Sequence, residues 1–99
     1  MITHIVFLKS HEENQEVKSK IINDLSSKLS LLPKYIEELK SLEVGINISD
    51  RDSAYDLSLH TTFENNDDLN TYRFHKEHLQ VIQFIKANKL ESAVVDYIK

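Results

Sequence analysis

The chain has no cysteine and no tryptophan, and only one glycine and one proline among its 99 residues. Without cysteine it has no disulfides, no thiolate nucleophile and no zinc–sulfur site. Such low glycine and proline contents leave little room for long loops or disordered segments. Together with the absence of internal repeats, this length predicts a single domain spanning residues 1–99.

The charge balance is mildly acidic, with a formal net charge of −4 at pH 7. The lysines are scattered along the chain, whereas binding to a phosphate backbone depends on clustered lysine and arginine. No apolar run approaches the roughly 20 residues that a membrane span needs. A signal peptide would carry basic residues before its apolar stretch, and the N-terminus here carries none, so it does not resemble one. We therefore predict a cytoplasmic protein with no nucleic-acid or membrane partner.

The first third of the chain predicts a strand followed by a long helix. Ile2–Lys9 is rich in β-branched and apolar residues on both faces, which is typical of a strand covered on both sides. Ser10 and Glu13 have the spacing of a capping box, so we expect the helix to begin there. It should run about six turns to Pro33. Its apolar positions recur at three- and four-residue spacing: Val17, Ile21, Leu25, Leu29 and Leu32.

The remaining two thirds alternate between strand and helix patterns. Leu42–Ser49 and Tyr55–Phe63 both repeat with period two around a polar turn, and this predicts a hairpin. Asn65 opens a cluster typical of a helix start. A second short helix is expected from about His75 to Asn88, with Leu79, Ile82 and Ile85 on its apolar face. Ala93–Ile98 is predicted as the closing strand.

The order β-α-β-β-α-β predicts an α+β domain of the ferredoxin-like type, a four-stranded antiparallel sheet with helices on one face. The first and third strands are central in that topology. Away from the helices, Ile5 and Phe7 should share a face with Val95 and Tyr97. A symmetric homodimer, sheet against sheet, is the simplest cover for this apolar patch. Asn47 is either a contact across that seam or an exposed strand residue.

Acid/base-capable side chains cluster near the C-terminus. Tyr72, His75 and His78 crowd into seven residues at a helix start, and Asp96 is a lone acid in an apolar strand. Such side chains among core-forming residues predict a small-molecule pocket. If Asp96 accepts a hydrogen bond from Nδ1 of His78, Nε2 is left free to act as a base. Tyr72 could polarise a carbonyl by donating its hydroxyl. We therefore expect His78 to hydrogen-bond Asp96 or His4. The plainer alternative is that Asp96 only satisfies a core histidine.

Other uses of these residues have weaker support. His4, His75, His78 and Asp96 contain potential metal ligands, but no stringent motif such as H-E-x-x-H appears. We therefore predict no bound metal and no cofactor. An RNA-binding sheet of this topology displays aromatic and basic residues. The corresponding face here is expected to carry polar and acidic ones: Ser58, Thr62 and Glu43.

Five segments spread over nearly the whole chain carry a resemblance to a known family. They are Thr3–Lys9, Leu42–Asn47, Tyr55–Leu59, Tyr72 to His78, and Val95–Tyr97. In their order and spacing they resemble the stress-responsive A/B barrel (Dabb) family of dimeric α+β barrels. It implies a homodimer with a pocket between each sheet and its own helices.

The resemblance also implies roles for individual residues. One plant relative closes a polyketide ring by aldol condensation with a tyrosine and a histidine, which match Tyr72 and His78. His4 and Asp96 match polar residues near the same pocket. The family commonly has His-Pro-x-His where this chain has His75-Lys-Glu-His78. Related barrels that degrade haem need a tryptophan in the pocket, and this chain has none, which argues against that activity.

Three functional hypotheses remain open. The first is a stress-associated homodimer that binds a mostly apolar carbonyl compound. The second is a lyase- or cyclase-like enzyme with Tyr72, His78 and Asp96 as its catalytic residues. The third is a structural dimer whose pocket is filled by its own side chains, such as Leu25, Leu79 and Ile82. The predicted binding residues are His4, His75, Ile21, Ile22, Leu25, Leu59 and Leu79.

Overall fold

Four strands and four helices follow one another along the chain, and a computed structural model describes all of residues 1–99. In chain order the elements are β1 (Ile2–Lys9), α1 (Gln15–Ser30), α2 (Leu32–Tyr35), β2 (Ser41–Ile46), β3 (Leu57–Phe63), α3 (Asn66–Phe74), α4 (Lys76–Ala87) and β4 (Glu91–Ile98). No helix combines the length and the apolar character needed to cross a membrane.

The strands form one antiparallel sheet in the order β2-β3-β1-β4. β1 and β3 are therefore central, and the predicted ferredoxin-like arrangement is confirmed. The register places His4 of β1 directly between Thr61 of β3 and Asp96 of β4. These three side chains consequently share the face of the sheet that the helices cover.

The core lies between that face and the helices. The sheet contributes Leu8, Leu57, Leu59 and Phe63, and the helices contribute Ile22, Leu25, Leu29, Leu69, Tyr72 and Val81, all of them buried. The recurrence of apolar residues every three or four positions in α1 is what lines up its buried stripe. Leu25 and Leu29 of the predicted face pack in the core with Ile22 beside them, whereas Val17 at its start is 43% exposed.

The predicted start of α1 at Ser10 and Glu13 was wrong. The helix begins at Gln15, and the side chain of Asn14 caps it by accepting two backbone N–H groups at 3.0 and 3.1 Å. Ser10 is buried, and its backbone N–H donates to Oδ2 of Asp56 at 2.7 Å. This bond between distant segments holds Ser10 outside the helix. The helix is therefore 16 residues long, shorter than the expected six turns.

The helix pair α3 and α4 begins with two side-chain caps. Asn65 accepts the backbone N–H of Asp68 at 2.9 Å, as its place in the sequence predicted. His75 ends α3 and caps α4, because its Nδ1 accepts the backbone N–H of Glu77 at 3.1 Å. A proline is therefore not needed to start α4 at this point.

The buried face of α4 differs from the predicted one. Val81 is buried, with Phe84 and Ile85 packed against the core, whereas Leu79 is 44% exposed. The inward stripe runs through His78, Val81 and Ile85, at i, i+3 and i+7. Leu79 lies one residue, or about 100° around the helix, from that stripe. The prediction that Leu79 lies on the buried face of this helix was therefore wrong.

Candidate functional site

The site is centred on Tyr72, which α3 carries into the core. Its side chain is 0% exposed. The centroid of its ring lies 4.3 Å from that of His78, 5.0 Å from that of Phe63 and 6.2 Å from that of His4. His4 of β1 and His78 of α4, both predicted as site residues, therefore lie against the ring of Tyr72.

The hydroxyl of Tyr72 has no hydrogen-bond partner in the protein. A buried donor left unpaired costs about 1–3 kcal/mol. Burial also raises the pKa of Tyr72, so the hydroxyl stays protonated at any physiological pH. The core thus contains a neutral O–H donor that no group of the chain accepts from.

The ring of His78 is oriented by the backbone. Its Nδ1 lies 3.0 Å from the carbonyl oxygen of Arg73. Because a carbonyl only accepts, Nδ1 must donate, and Nε2 of the neutral ring carries the lone pair. Burial lowers the pKa of His78 from its ordinary value of 6.5. The hydrogen bond to Arg73 raises the pKa by less than burial lowers it, and the nearby His4 lowers it further. The ring is therefore neutral at pH 7 and presents Nε2 as an acceptor.

The predicted hydrogen bond between His78 and Asp96 or His4 was wrong. Asp96 pairs with Nδ1 of His4 instead. The two residues are direct partners across β1 and β4, whereas His78 is held on a separate helix by Arg73. Cross-strand partners are about 5 Å apart at Cβ, which favours this pair. The plainer alternative, in which Asp96 satisfies a core histidine, is the one realised.

His75 lies next to the site in sequence but serves the backbone. Its Nδ1 is occupied by the cap of α4, and its side chain is only partly buried. No group of three or more histidine, aspartate or glutamate side chains is arranged to hold a metal ion. The four potential metal ligands considered from the sequence bind elsewhere. His75 caps α4, His4 pairs with Asp96, and His78 contacts the backbone of Arg73.

None of the three principal concavities is the pocket expected beside Tyr72. The three principal concavities, of about 630, 400 and 190 Å³, are lined by neither Tyr72 nor His78. Leu25 and Leu59 are core residues and Ile21 is partly buried, and none of them lines these three concavities. Ile22 lines the largest of the three, between α1 and the loop that joins β2 to β3. Core side chains close around Tyr72, which explains its lack of exposure.

One side of the site is nevertheless close to solvent. β4 pairs only with β1, and most of its side chains are exposed. On the helix-facing side of β4, Val94 is 53% and Ile98 81% exposed. They flank Asp96, whose side chain is 46% exposed, beside His4 at 11%. We call Val94, Asp96 and Ile98 the β4 rim. These three residues occupy every second position of β4, so the sequence already placed them on one face of the strand. This exposed surface was not identified from the sequence.

The opposite face of the sheet is not covered by any element of the chain. Phe7, Val95 and Tyr97 are 42%, 55% and 41% exposed, and Ile5 is partly buried. Asn47 does not extend β2 as expected. It lies in the loop after Ile46, where its side-chain amide bonds both backbone groups of Ser49 at 2.8 and 2.9 Å.

Replacing Tyr72 with phenylalanine should raise the free energy of unfolding by about 1 kcal/mol, because it removes a buried hydroxyl that has no partner. Urea denaturation at one protein concentration measures this. Tyr55→Phe is the matched control, because the Tyr55 hydroxyl donates to Glu91 at 3.0 Å and its loss should not stabilise the protein. A clear loss of stability in Tyr72→Phe would mean that the hydroxyl is satisfied.

Comparison with known proteins places this geometry in a family. The model of the stress responsive A/B barrel domain, Dabb, matches residues 2–99. A dimeric, ferredoxin-like protein of unknown function from Bacteroides fragilis is 28% identical, with a TM-score of 0.90 over 99% of this chain and 95% of that one. A dimeric ferredoxin-like protein of unknown function from Thermobifida fusca is 21% identical, with a TM-score of 0.84 over 99% and 90%.

An enzyme shares the same fold. The hydroxynitrile lyase from Passiflora edulis is 20% identical, with a TM-score of 0.80 over 99% of this chain and 92% of that one. No curated protein matched the sequence. Because the family model spans nearly all 99 residues, the chain belongs to the stress responsive A/B barrel (Dabb) family.

Proposed function

We propose that this protein is a homodimer in which each subunit binds a small, mostly apolar carbonyl compound at Tyr72. The observation that carries the proposal is the buried Tyr72 hydroxyl, which has no partner in the protein. The ring that bears it packs against the ring of His78. A carbonyl oxygen accepts hydrogen bonds and cannot donate them, so it is complementary to this hydroxyl. The family's description supports a role in stress, and the cytoplasmic location rests on the sequence alone.

The apolar character of the ligand follows from what surrounds the hydroxyl. Tyr72 packs against Phe63, and Leu69 one turn earlier in α3 is also buried. Moving a charged group into such surroundings costs far more than a neutral carbonyl would. The carboxylate of Asp96 at the rim further disfavours an anionic ligand. A ketone or aldehyde with an apolar body satisfies both conditions.

The β4 rim is the proposed route of entry. Its exposed apolar side chains, Val94 and Ile98, offer the first contact for an apolar body. His4 lies between the rim and Tyr72, because it pairs with Asp96 on one side and faces the Tyr72 ring on the other. Entry then requires side chains to move, since Tyr72 is closed off in this structure.

Small ketones and aromatic aldehydes should raise the thermal stability of the wild-type protein by mass action. The gain is about 2.7 kcal/mol at about 100 times the Kd. Tyr72→Phe should abolish most of this gain, whereas Tyr35→Phe, at an exposed tyrosine on α2, should keep it. Differential scanning fluorimetry measures both. If no compound stabilises the wild type, the third hypothesis, a structural dimer with a filled interior, takes the place of this one.

A second candidate function is a lyase- or cyclase-like reaction at the same site. The observation that favours it is the tautomer of His78, whose Nε2 carries a lone pair and has no partner in the protein. In this reaction Nε2 takes a proton from the carbon next to the carbonyl. The Tyr72 hydroxyl donates a hydrogen bond to the carbonyl oxygen as negative charge develops there. The structural likeness to a hydroxynitrile lyase supports an enzyme of the lyase type in this fold.

Exchange of the protons next to the carbonyl of 4-phenylbutan-2-one, followed by NMR in D₂O, tests the second function. His78→Gln should lower the exchange rate about 100-fold or more, whereas His11→Gln on the surface should not. The rate should fall as the pH drops through the pKa of His78, which lies below 6.5, and should be level above 6.5. Exchange no faster than in buffer would exclude the reaction and leave the binding proposal standing.

The homodimer is proposed from the uncovered sheet face. Ile5, Phe7, Val95 and Tyr97 lie on adjacent positions of the neighbouring strands β1 and β4. A second copy, docked face to face, buries the same patch on both subunits, as a two-fold interface requires. The similar proteins from Bacteroides fragilis and Thermobifida fusca are described as dimeric, which supports the same assembly here.

Light scattering at micromolar concentration should give about twice the chain mass of 11.5 kDa. Phe7→Asp should shift the protein to monomer, because it places a carboxylate in the centre of the proposed interface. Circular dichroism distinguishes a folded monomer from an unfolded chain. Leu31→Asp, at an exposed leucine after α1, is the matched control. A folded Phe7→Asp dimer would remove this face from the interface.

A further inference from the structure

The largest of the three principal concavities lies away from Tyr72, between the N-terminal half of α1 and the loop that joins β2 to β3. It has a volume of about 630 Å³ and none of its lining residues belongs to the Tyr72 site. We call it the loop cleft and define it by Lys9, Lys18, Asp50, Arg51, Asp52 and Asp56. Its size is within the range of small-molecule sites, about 300–1,000 Å³.

The loop wall of the cleft is braced by its own hydrogen bonds. Asn47 bonds both backbone groups of Ser49, and the hydroxyl of Ser49 accepts the backbone N–H of Arg51 at 3.2 Å. Ala54 closes the turn by donating its N–H to the carbonyl of Arg51 at 3.1 Å. A ligand therefore meets a wall that is already shaped, and binding costs little ordering of the loop.

The charges on the floor of the cleft are already used. Lys18 and Asp56 form an ion pair at 3.3 Å, with side chains only 24% and 16% exposed. Asp56 also accepts the backbone N–H of Ser10 at 2.7 Å. These two groups neutralise one another and fix the floor, so they leave no net charge for a ligand to balance.

The charges around the mouth are not used in this way. Arg51 has no carboxylate partner, and Asp50 and Asp52 have no cationic partner. Lys9 donates from Nζ to the backbone carbonyl of Asp52 at 3.4 Å and also lies over the ring of Tyr55 at 5.7 Å, so Arg51 is the cation left without a partner. The mouth thus offers one unpaired cation beside two unpaired carboxylates. A simple anion or a simple cation therefore meets both attraction and repulsion there.

We propose that the loop cleft binds a small zwitterion of the free amino-acid type. Its carboxylate would bind Arg51, and its ammonium group would bind Asp50 or Asp52. The remaining lining includes side-chain amides and hydroxyls, such as Gln15, Ser19 and Asn23, which suit a polar side chain. The proposal is independent of the carbonyl-binding site and of the dimer.

The test uses L-glutamine and two analogues that each lack one of its charges. These are 4-carbamoylbutanoate, without the ammonium group, and 4-aminobutanamide, without the carboxylate. Each is titrated into the ¹⁵N-labelled wild-type protein and followed by NMR. L-glutamine should produce saturable shifts in residues 47–56 and at the start of α1. Both analogues should bind about fivefold more weakly or worse, because each lacks one ion pair at the exposed mouth.

Two variants locate the charges. Arg51→Gln should weaken L-glutamine binding about fivefold, whereas 4-aminobutanamide, which has no carboxylate for Arg51 to bind, should bind no more weakly than to the wild type. Lys86→Gln, an exposed lysine of α4 outside the cleft, is the matched control and should change neither. The proposal is overturned if L-glutamine gives no saturable shifts, if either analogue binds as well as L-glutamine, or if Arg51→Gln binds it like the wild type.

Discussion

Both faces of β1 carry apolar side chains, yet the helices cover only one of them. Successive side chains of a strand point to opposite sides of the sheet. Leu8 and His4 are therefore directed towards the helices, whereas Ile5 and Phe7 are left on the open face. A slip of one residue in register would exchange the two sets. One strand of eight residues thus determines both the floor of the Tyr72 site and the surface offered to a second copy.

The pairing of His4 with Asp96 decides what kind of group His78 is. A carboxylate next to an imidazole favours its charged form and raises its pKa, whereas burial lowers it. Because Asp96 is bound to His4, His78 keeps only the neutral carbonyl of Arg73 as a partner, and burial prevails. His78 is therefore a neutral acceptor beside a neutral donor, Tyr72. That combination suits proton removal next to a carbonyl better than proton donation.

Local periodicity predicted the elements and their order, because strand and helix patterns depend on nearby residues. Contacts between distant segments produced the errors. Ser10 and Asn14 both suit a helix cap, and only the bond from Ser10 to Asp56 decides between them. Likewise, the sequence predicted that Asp96 and His78 belong to one site, but it did not determine which histidine Asp96 binds. The cross-strand register settled that choice in favour of His4, and no local pattern encodes it.

The two proposed sites depend on different parts of the molecule. Tyr72 is held by core packing on elements that this chain shares with structures at TM-scores of 0.80 to 0.90, so its surroundings follow from the fold. The loop cleft depends on a short segment braced by the side chains of Asn47 and Ser49. Loops accept substitutions and insertions more readily than packed elements do. Any selectivity of the cleft is therefore a property of this chain's own loop residues. The free donor of Tyr72 and the free acceptor of His78, in contrast, keep their positions only while the whole core stays packed.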